Sequence, residues 1–530
     1  MEEFDFIVIG AGSAGCAVAG RLSESGKHTV LLLEAGGPDT NPWIHIPVGY
    51  GKTFVNEKLT WKYSTEPQPG MNGRSIFTPS GKVLGGSSSI NGLVYGRGQR
   101  EDYDNWRQDG NPGWGYEDLL PLFKKSERQE RGASAYHGSD GTLSVSNCRY
   151  STPLGEAFVA SAVAAGYPAN EDFNGARQEG VGTFQMTTRR GRRNSSAVAF
   201  LHGARSRQNL VVRTNAEVER LLVSDRRVTG VSYAIGEMIM QAKARRFVIL
   251  SAGGVNSPTI LQRSGIGRGE WLQEAGIDVV HDLRGVGANF HDHIQSRLVL
   301  RSRRHPTLNT ITRNPLHMAL MGAQYALRRR GPLSAAGAQT GGYIRSNPGV
   351  DRPDLMLMYM PFSSVDYRQG LDRFPGFSLS VMLMRPESRG TVRVRSADRK
   401  VQPIIQPNFL TEEKDCRTLI DGLRCGRRIM SFDPIKGEIE REERPGIDVT
   451  SDDELLSYIR ETSGSVYHPA GACRMGKGPN AVVDARLRIH GLEGLMVADA
   501  SIMPSIVSAP TNATSIMIGE KAAALILELA

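Results

Sequence analysis

At 530 residues the chain is too long for one ordinary hydrophobic core and suits two domains, interleaved where their segments alternate. Its 39% hydrophobic and 22% charged residues are those of a soluble globular protein and exclude a disordered or collagen-like chain. The formal charge of +9 gathers in "TTRRGRRN", "RSRRH" and "LRRRG". No recognition motif accompanies it, so no nucleic-acid partner is expected.

The first legible elements are a buried strand over residues 4–9, a helix in "SAGCAVAGRLSES" and a second strand over 28–35. Gly10, Gly12 and Gly15 join the first strand to the helix in GxGxxG spacing. That spacing makes a tight turn, lets backbone approach a pyrophosphate and packs the helix closely on the strand. The helix N-terminus then offers N–H groups and a positive dipole end to the phosphates. Glu34 closes the second strand, where a carboxylate accepts from ribose hydroxyls. These residues predict a dinucleotide grip and leave FAD and NAD undecided.

Residues 36–116 are rich in Gly, Pro, Asn and Trp and too long for an ordinary connection, so they are expected to serve function. Further strands for a parallel sheet come in "RRFVILSAGGVNSP" and "GLEGLMVADASIMP", apolar runs that close in small residues. Alternating runs at 376–396 predict an antiparallel sheet. The expected fold is α/β (α+β overall). A Rossmann-like domain from residues 1–155, 196–300 and 455–530 is interleaved with a substrate domain from 156–195 and 301–454, built on an antiparallel sheet with helices.

"GKVLGGSSSINGLVYGRG" (81–98) and "GGVNSPTILQRSGIG" (253–267) make the chain resemble the glucose–methanol–choline (GMC) oxidoreductases, closest in appearance to bacterial alcohol and choline dehydrogenase-like flavoproteins. "RGVGANFHDHIQ" and "HPAGACRMG" extend the resemblance over essentially the whole chain; Gly254 departs from the family pattern by one small residue for another. The resemblance implies FAD. Gly10, Gly12, Ser13, Ala14, Gly15, Glu34 and Ala35 would hold its ADP half, and Val218 would meet the adenine. Val83, Gly86, Asn91, Gly92, Leu93 and Val94 would line the flavin, while Ala252, Gly253, Asp499, Ala500 and Thr511 would complete the pyrophosphate and pyrimidine side. Some relatives attach the flavin through a histidine where this chain has Ile90, so non-covalent FAD is expected.

In "SGSVYHPAGACRMG" a single histidine, His468, has no local reason to be there. By resemblance it is the base that takes the hydroxyl proton of a primary alcohol while hydride passes to flavin N5, giving the aldehyde. Asn512 would donate to the substrate oxygen, and on its own it reads equally as the N-cap of the last helix. Trp61, Tyr63, Tyr359, Phe362, Val466 and Tyr467 are weaker substrate-pocket candidates, and Met356, Met358, Met360, Met382 and Met384 read first as core. No metal is expected; His291 and His293 read as structural.

A choline or amino-alcohol dehydrogenase or oxidase, an FAD-containing hydroxynitrile lyase and a non-catalytic flavin-binding protein remain open, as does an NAD enzyme from the glycine turn alone. The expected acceptor is a quinone or oxygen and the expected state a monomer or homodimer. Five cysteines without a CxxC pair, and apolar periodicity that begins by Phe4, lead to a cytoplasmic expectation. The arginine clusters leave peripheral contact with the inner face of a membrane open.

Overall fold

The computed structural model describes residues 1–529, and two seven-stranded sheets organise it. In the first, Glu2–Ile9 lies parallel between Val30–Leu33 and the long strand Met238–Leu250, with Leu210–Arg213 beyond Val30–Leu33. The C-terminal half of Met238–Leu250 pairs in parallel with Leu495–Val497. Its N-terminal half belongs instead to an antiparallel meander with Arg227–Ile235 and Ala216–Ser224. Near-continuous Val, Ile and Leu runs suit strands covered on both faces, and Ile7, Val8, Leu31, Leu32, Val248 and Ile249 are fully buried. The helix Ser13–Leu22 packs on this sheet, and Asn512–Leu527 packs against that helix.

The second sheet is antiparallel, in the order Ile439–Arg444, Ile294–Ser302, Gly376–Leu383, Leu355–Met360, Thr340–Ile344, Gly180–Thr183. Side chains alternate across each strand. Leu355, Leu357 and Tyr359 face a core shared with the helix Glu413–Met430, whereas Met356 and Met360 belong to a separate cluster on the opposite face. A Cβ at Gly422 would lie 2.5 Å from Val381 Cγ1, so the helix approaches the sheet as closely as backbone allows.

The sheets cross the domain limits expected from the sequence. Ile294–Ser302 spans the 300/301 limit because it pairs along its length with Gly376–Leu383. Gly464–Ser465 joins the same strand, although it lies in the 455–530 segment expected in the nucleotide domain. Hydrogen-bond partners far away in sequence set these limits, and a one-dimensional pattern does not record them.

Candidate active site

One cavity of about 540 Å³ runs between the sheets, inside the range of ligand sites generally. One end is the glycine turn. Gly10 has φ +94°, and a Cβ there would lie 2.6 Å from the Ser251 carbonyl oxygen. A Cβ at Gly15 would lie 1.9 Å from the Gly10 carbonyl oxygen, so helix and turn touch backbone to backbone. Glu34 closes the turn: its carboxylate accepts from the Ala11 N–H at 2.9 Å and the Gly36 N–H at 2.8 Å. Burial pushes this carboxyl up to about 7 against those two bonds and the charge of Lys82. Across the cavity Asp499 accepts from the Gly253 N–H at 2.8 Å and the Ser257 hydroxyl at 2.5 Å, tying the ends of two parallel strands together.

Gly10, Gly12, Ser13, Ala14, Glu34, Ala35, Val218, Ala252, Gly253, Asp499, Ala500 and Thr511 all line this cavity. So do Gly86, Asn91, Gly92, Leu93 and Val94 from the long loop. Gly15 and Val83 do not. Gly15 is spent on the helix contact, and Val83 is buried in a small core with Ile44, Phe54, Leu59 and Ile90. A Cβ at Gly92 or Gly253 would meet nothing within 4 Å, so these glycines leave cavity space that a side chain would occupy. An extended dinucleotide fits such a wall, with acids at the glycine turn and bare backbone along the loop.

Sequence reasoning missed what fixes that loop. Arg193 is buried and, among the described residues, bonds to oxygens of neutral groups: the carbonyls of Ile44, Ser88 and Asn91, and the Asn91 side chain at 2.6 Å. Burial pulls its guanidinium down to about 9. Leu93 next to this clamp has φ +71°, a costly conformation for a leucine that the surrounding bonds hold.

At the other end stands His468, partly exposed to the cavity yet deep in the protein. Its backbone N–H donates to Asp292 at 2.7 Å. Ser465 donates its hydroxyl to the same carboxylate and accepts the Tyr467 N–H at 2.8 Å. Tyr467 takes φ +67° within this knot. Burial pushes the Asp292 carboxyl up to about 7 against its hydrogen bonds.

The ring of His468 meets His293 at 2.9 Å, Nδ1 to Nδ1, with the planes at 88°. His293 Nε2 lies 2.9 Å from the Met384 carbonyl oxygen, which can only accept, so Nε2 carries the proton. Burial pulls His293 down to about 4, so it is neutral and its Nδ1 is a bare acceptor. His468 Nδ1 must then donate. Burial and the His293 ring hold His468 well below the usual histidine range, so its single proton sits on Nδ1 and Nε2 keeps a free lone pair.

Asn512 lines the same cavity. Its Oδ1 accepts from the Ser13 hydroxyl at 2.7 Å, which leaves the amide N–H groups to donate. It is the first helical residue rather than the cap; Thr511 holds the cap position, without a side-chain cap bond.

The weaker pocket candidates divide. Val466 and Tyr467 line the cavity beside His468. Trp61 and Tyr63 line its nucleotide side, where Lys82 lies 3.9 Å over the Trp61 ring and pairs with Glu217, and Tyr63 donates to Asn256. Tyr359 and Phe362 are absent from the wall. Tyr359 has the wrong strand parity and packs on Phe158 and Phe377, while Phe362 lies in the methionine-side core. Met358, Met360 and Met382, read from the sequence as core, line the cavity on the opposite parity. The alternation was legible; which face held a cavity was not.

A glycine turn of nucleotide-binding form and a neutral histidine share one cavity, an arrangement suited to a nucleotide-cofactor oxidoreductase. Comparison with known proteins makes it narrower. Two family models, each described as GMC oxidoreductase, match residues 4–295 and 386–519. Alcohol dehydrogenase (acceptor) of Pseudomonas putida is 43% identical over 535 residues, covering 99% of this chain and 96% of its own. Mitochondrial choline dehydrogenase of Mus musculus is 41% identical over 534 residues, covering 99% and 89%. Among solved structures, pyridoxine 4-oxidase from Mesorbium loti superposes with a TM-score of 0.90 at 30% identity, over 99% of each chain. The chain belongs to the GMC oxidoreductase family of FAD flavoproteins, enzymes that act on alcohols.

Proposed function

We propose that this protein oxidises a neutral primary alcohol, aliphatic or aromatic, to the aldehyde and passes the electrons to a quinone-type acceptor. One observation carries the reading: the hydrogen-bond chain from the Met384 carbonyl through His293 to His468 leaves Nε2 of His468 as an unprotonated base on the cavity wall. Bound FAD supplies the hydride acceptor. His468 takes the hydroxyl proton at Nε2, and the Asn512 amide donates to the oxygen as charge develops there. Asp292, Ser465 and His293 hold the imidazole in place and take no proton from substrate. The glycine turn, Glu34, the 91–94 loop and Asp499 hold FAD without a covalent bond, consistent with Ile90, whose side chain has no nucleophile.

A neutral substrate is favoured over a quaternary amine by the distribution of charge. The acids lining the cavity among the described residues are Glu34, Glu217 and Asp499, all engaged at the nucleotide side. Around His468 the wall includes Met358, Met360, Met382, Val466 and Tyr467, with Phe54 and Tyr50 stacked beyond Tyr467. Methionines adapt to varied apolar shapes, and none of these residues carries the carboxylate that would face a cation.

The test is anaerobic addition of primary alcohols to the purified yellow protein. Bleaching by an aliphatic or aromatic alcohol, but not by choline, is the expected result. A preparation with no flavin absorbance, or bleaching by choline alone, overturns the reading. Oxygen or a soluble quinone added afterwards identifies the acceptor by the rate at which colour returns, and acid denaturation releases the flavin into the supernatant if it is not covalently held.

A further inference from the structure

Between Ile294 and Val350 the sequence holds nine arginines and no aspartate or glutamate. In the middle of this stretch lies the helix Pro315–Arg328. Met321 and Tyr325 fix it to the protein, and the Tyr325 hydroxyl donates to the Gly191 carbonyl at 3.0 Å. The opposite face is apolar as well. Leu316, Leu320 and Leu327 are 66%, 58% and 84% exposed, and Ala319 and Ala323 lie between them on the same stripe. A surface helix ordinarily presents charged and polar residues there; this one presents none.

The helix ends in Arg328, Arg329 and Arg330. The turn holding Arg189, Arg190 and Arg192 packs against that end, since a Cβ on Gly191 would lie 2.3 Å from the Arg329 carbonyl oxygen. All six arginines are exposed, and none has a carboxylate partner among the described residues. Arg313 and His317 make the start of the helix basic too.

We propose that this face is a docking surface for an anionic lipid bilayer, with the Leu316–Leu320–Leu327 stripe entering the headgroup region and the arginines meeting lipid phosphates. Apolar insertion and a polybasic patch are the two signals that stable peripheral attachment needs. No helix among the described residues is long and apolar enough to cross a membrane, so the contact is interfacial. A second copy of the chain fits less well. Both ends of the helix are basic, so self-pairing in either direction sets like charges together. Docking also orients the active site. The chain runs on from the helix through Pro332–Ser334, which packs against Pro47–Gly49, to Gly337 and Ala338 in the cavity wall.

The experiment is co-sedimentation of the purified holoenzyme with vesicles of phosphatidylcholine alone or mixed with phosphatidylglycerol. Two variants accompany it, Leu316→Ser/Leu320→Ser/Leu327→Ser and Arg189→Gln/Arg190→Gln/Arg328→Gln/Arg330→Gln, each checked for unchanged flavin absorbance and melting temperature. Wild type is expected on the mixed vesicles only, with binding that weakens as salt is added. Each variant should bind about tenfold more weakly or less. The proposal is overturned if wild type stays in the supernatant or the leucine variant sediments like wild type. A wild-type dimer that becomes monomeric in the leucine variant, by light scattering, overturns it too and assigns the stripe to a second copy.

Discussion

The two ends of the cavity are built by opposite means. At the nucleotide end the wall is mostly backbone: Gly10, Gly12 and Gly15 bring main chain against main chain, and Glu34 closes the turn by accepting two backbone N–H groups. At the His468 end the work falls to side chains steadied by side chains from remote segments: His293 on His468, Ser465 on Asp292, Ser13 on Asn512. The contrast follows from what each must do. A phosphate chain needs N–H groups and room, which a local turn supplies. A base needs one ring nitrogen with and one without a proton, which takes a partner of fixed protonation on the other side.

The contrast is open to direct attack. The largest effect is expected from His468→Ala, which should lower kcat by about 100- to 10,000-fold while the visible spectrum still shows bound flavin; unimpaired turnover would refute the assignment. Asn512→Ala, removing a donor to the developing oxyanion, should cost about 100-fold in kcat, read in the same assay with KM little changed.

The backbone end breaks differently. Gly15→Ala forces a Cβ to 1.9 Å from the Gly10 carbonyl, an overpacking cost of about 1–3 kcal/mol visible as a lower melting temperature together with flavin loss. Gly92→Val, where a Cβ meets nothing within 4 Å, should instead leave the apoprotein's melting temperature near wild type and weaken FAD binding. If both variants behave alike, the distinction between packing glycine and cavity glycine fails.

The smallest effect is expected from His293→Asn. Losing one neutral hydrogen bond, about 1 kcal/mol, should slow turnover roughly fivefold. The pH profile of the wild type tests the base itself. His468 is held below 6.5 by burial and by His293, so the base is neutral above that value. Wild-type kcat/KM should stay level as pH falls to 6.5 and decline only below it, where the base becomes protonated.

How much of this was legible in the sequence varies along the chain. The glycine turn and Glu34 stand within one βαβ unit, where spacing alone brings residues together, and the structure puts Glu34 on the turn as a short strand must. His468 was located by resemblance, yet nothing in its neighbourhood pointed to His293 or Asp292, which reach it from the start of the adjacent strand of the second sheet. The methionines of 356–360 show the same limit. Their period of two was plain, but Met358 and Met360 face a cavity and Tyr359 a core because of what packs on each face of the sheet.

The sequence by itself determined the strand–turn–helix grip, the two kinds of sheet and the family, since these rest on contacts between near neighbours or on motifs spelled in order. Only the tertiary structure decided which tautomer His468 adopts, which side of a strand meets the cavity and where the arginines gather. Each of these is a relation between groups far apart in the chain, and the energy that fixes it comes from burial and hydrogen bonds that exist only once the chain has closed.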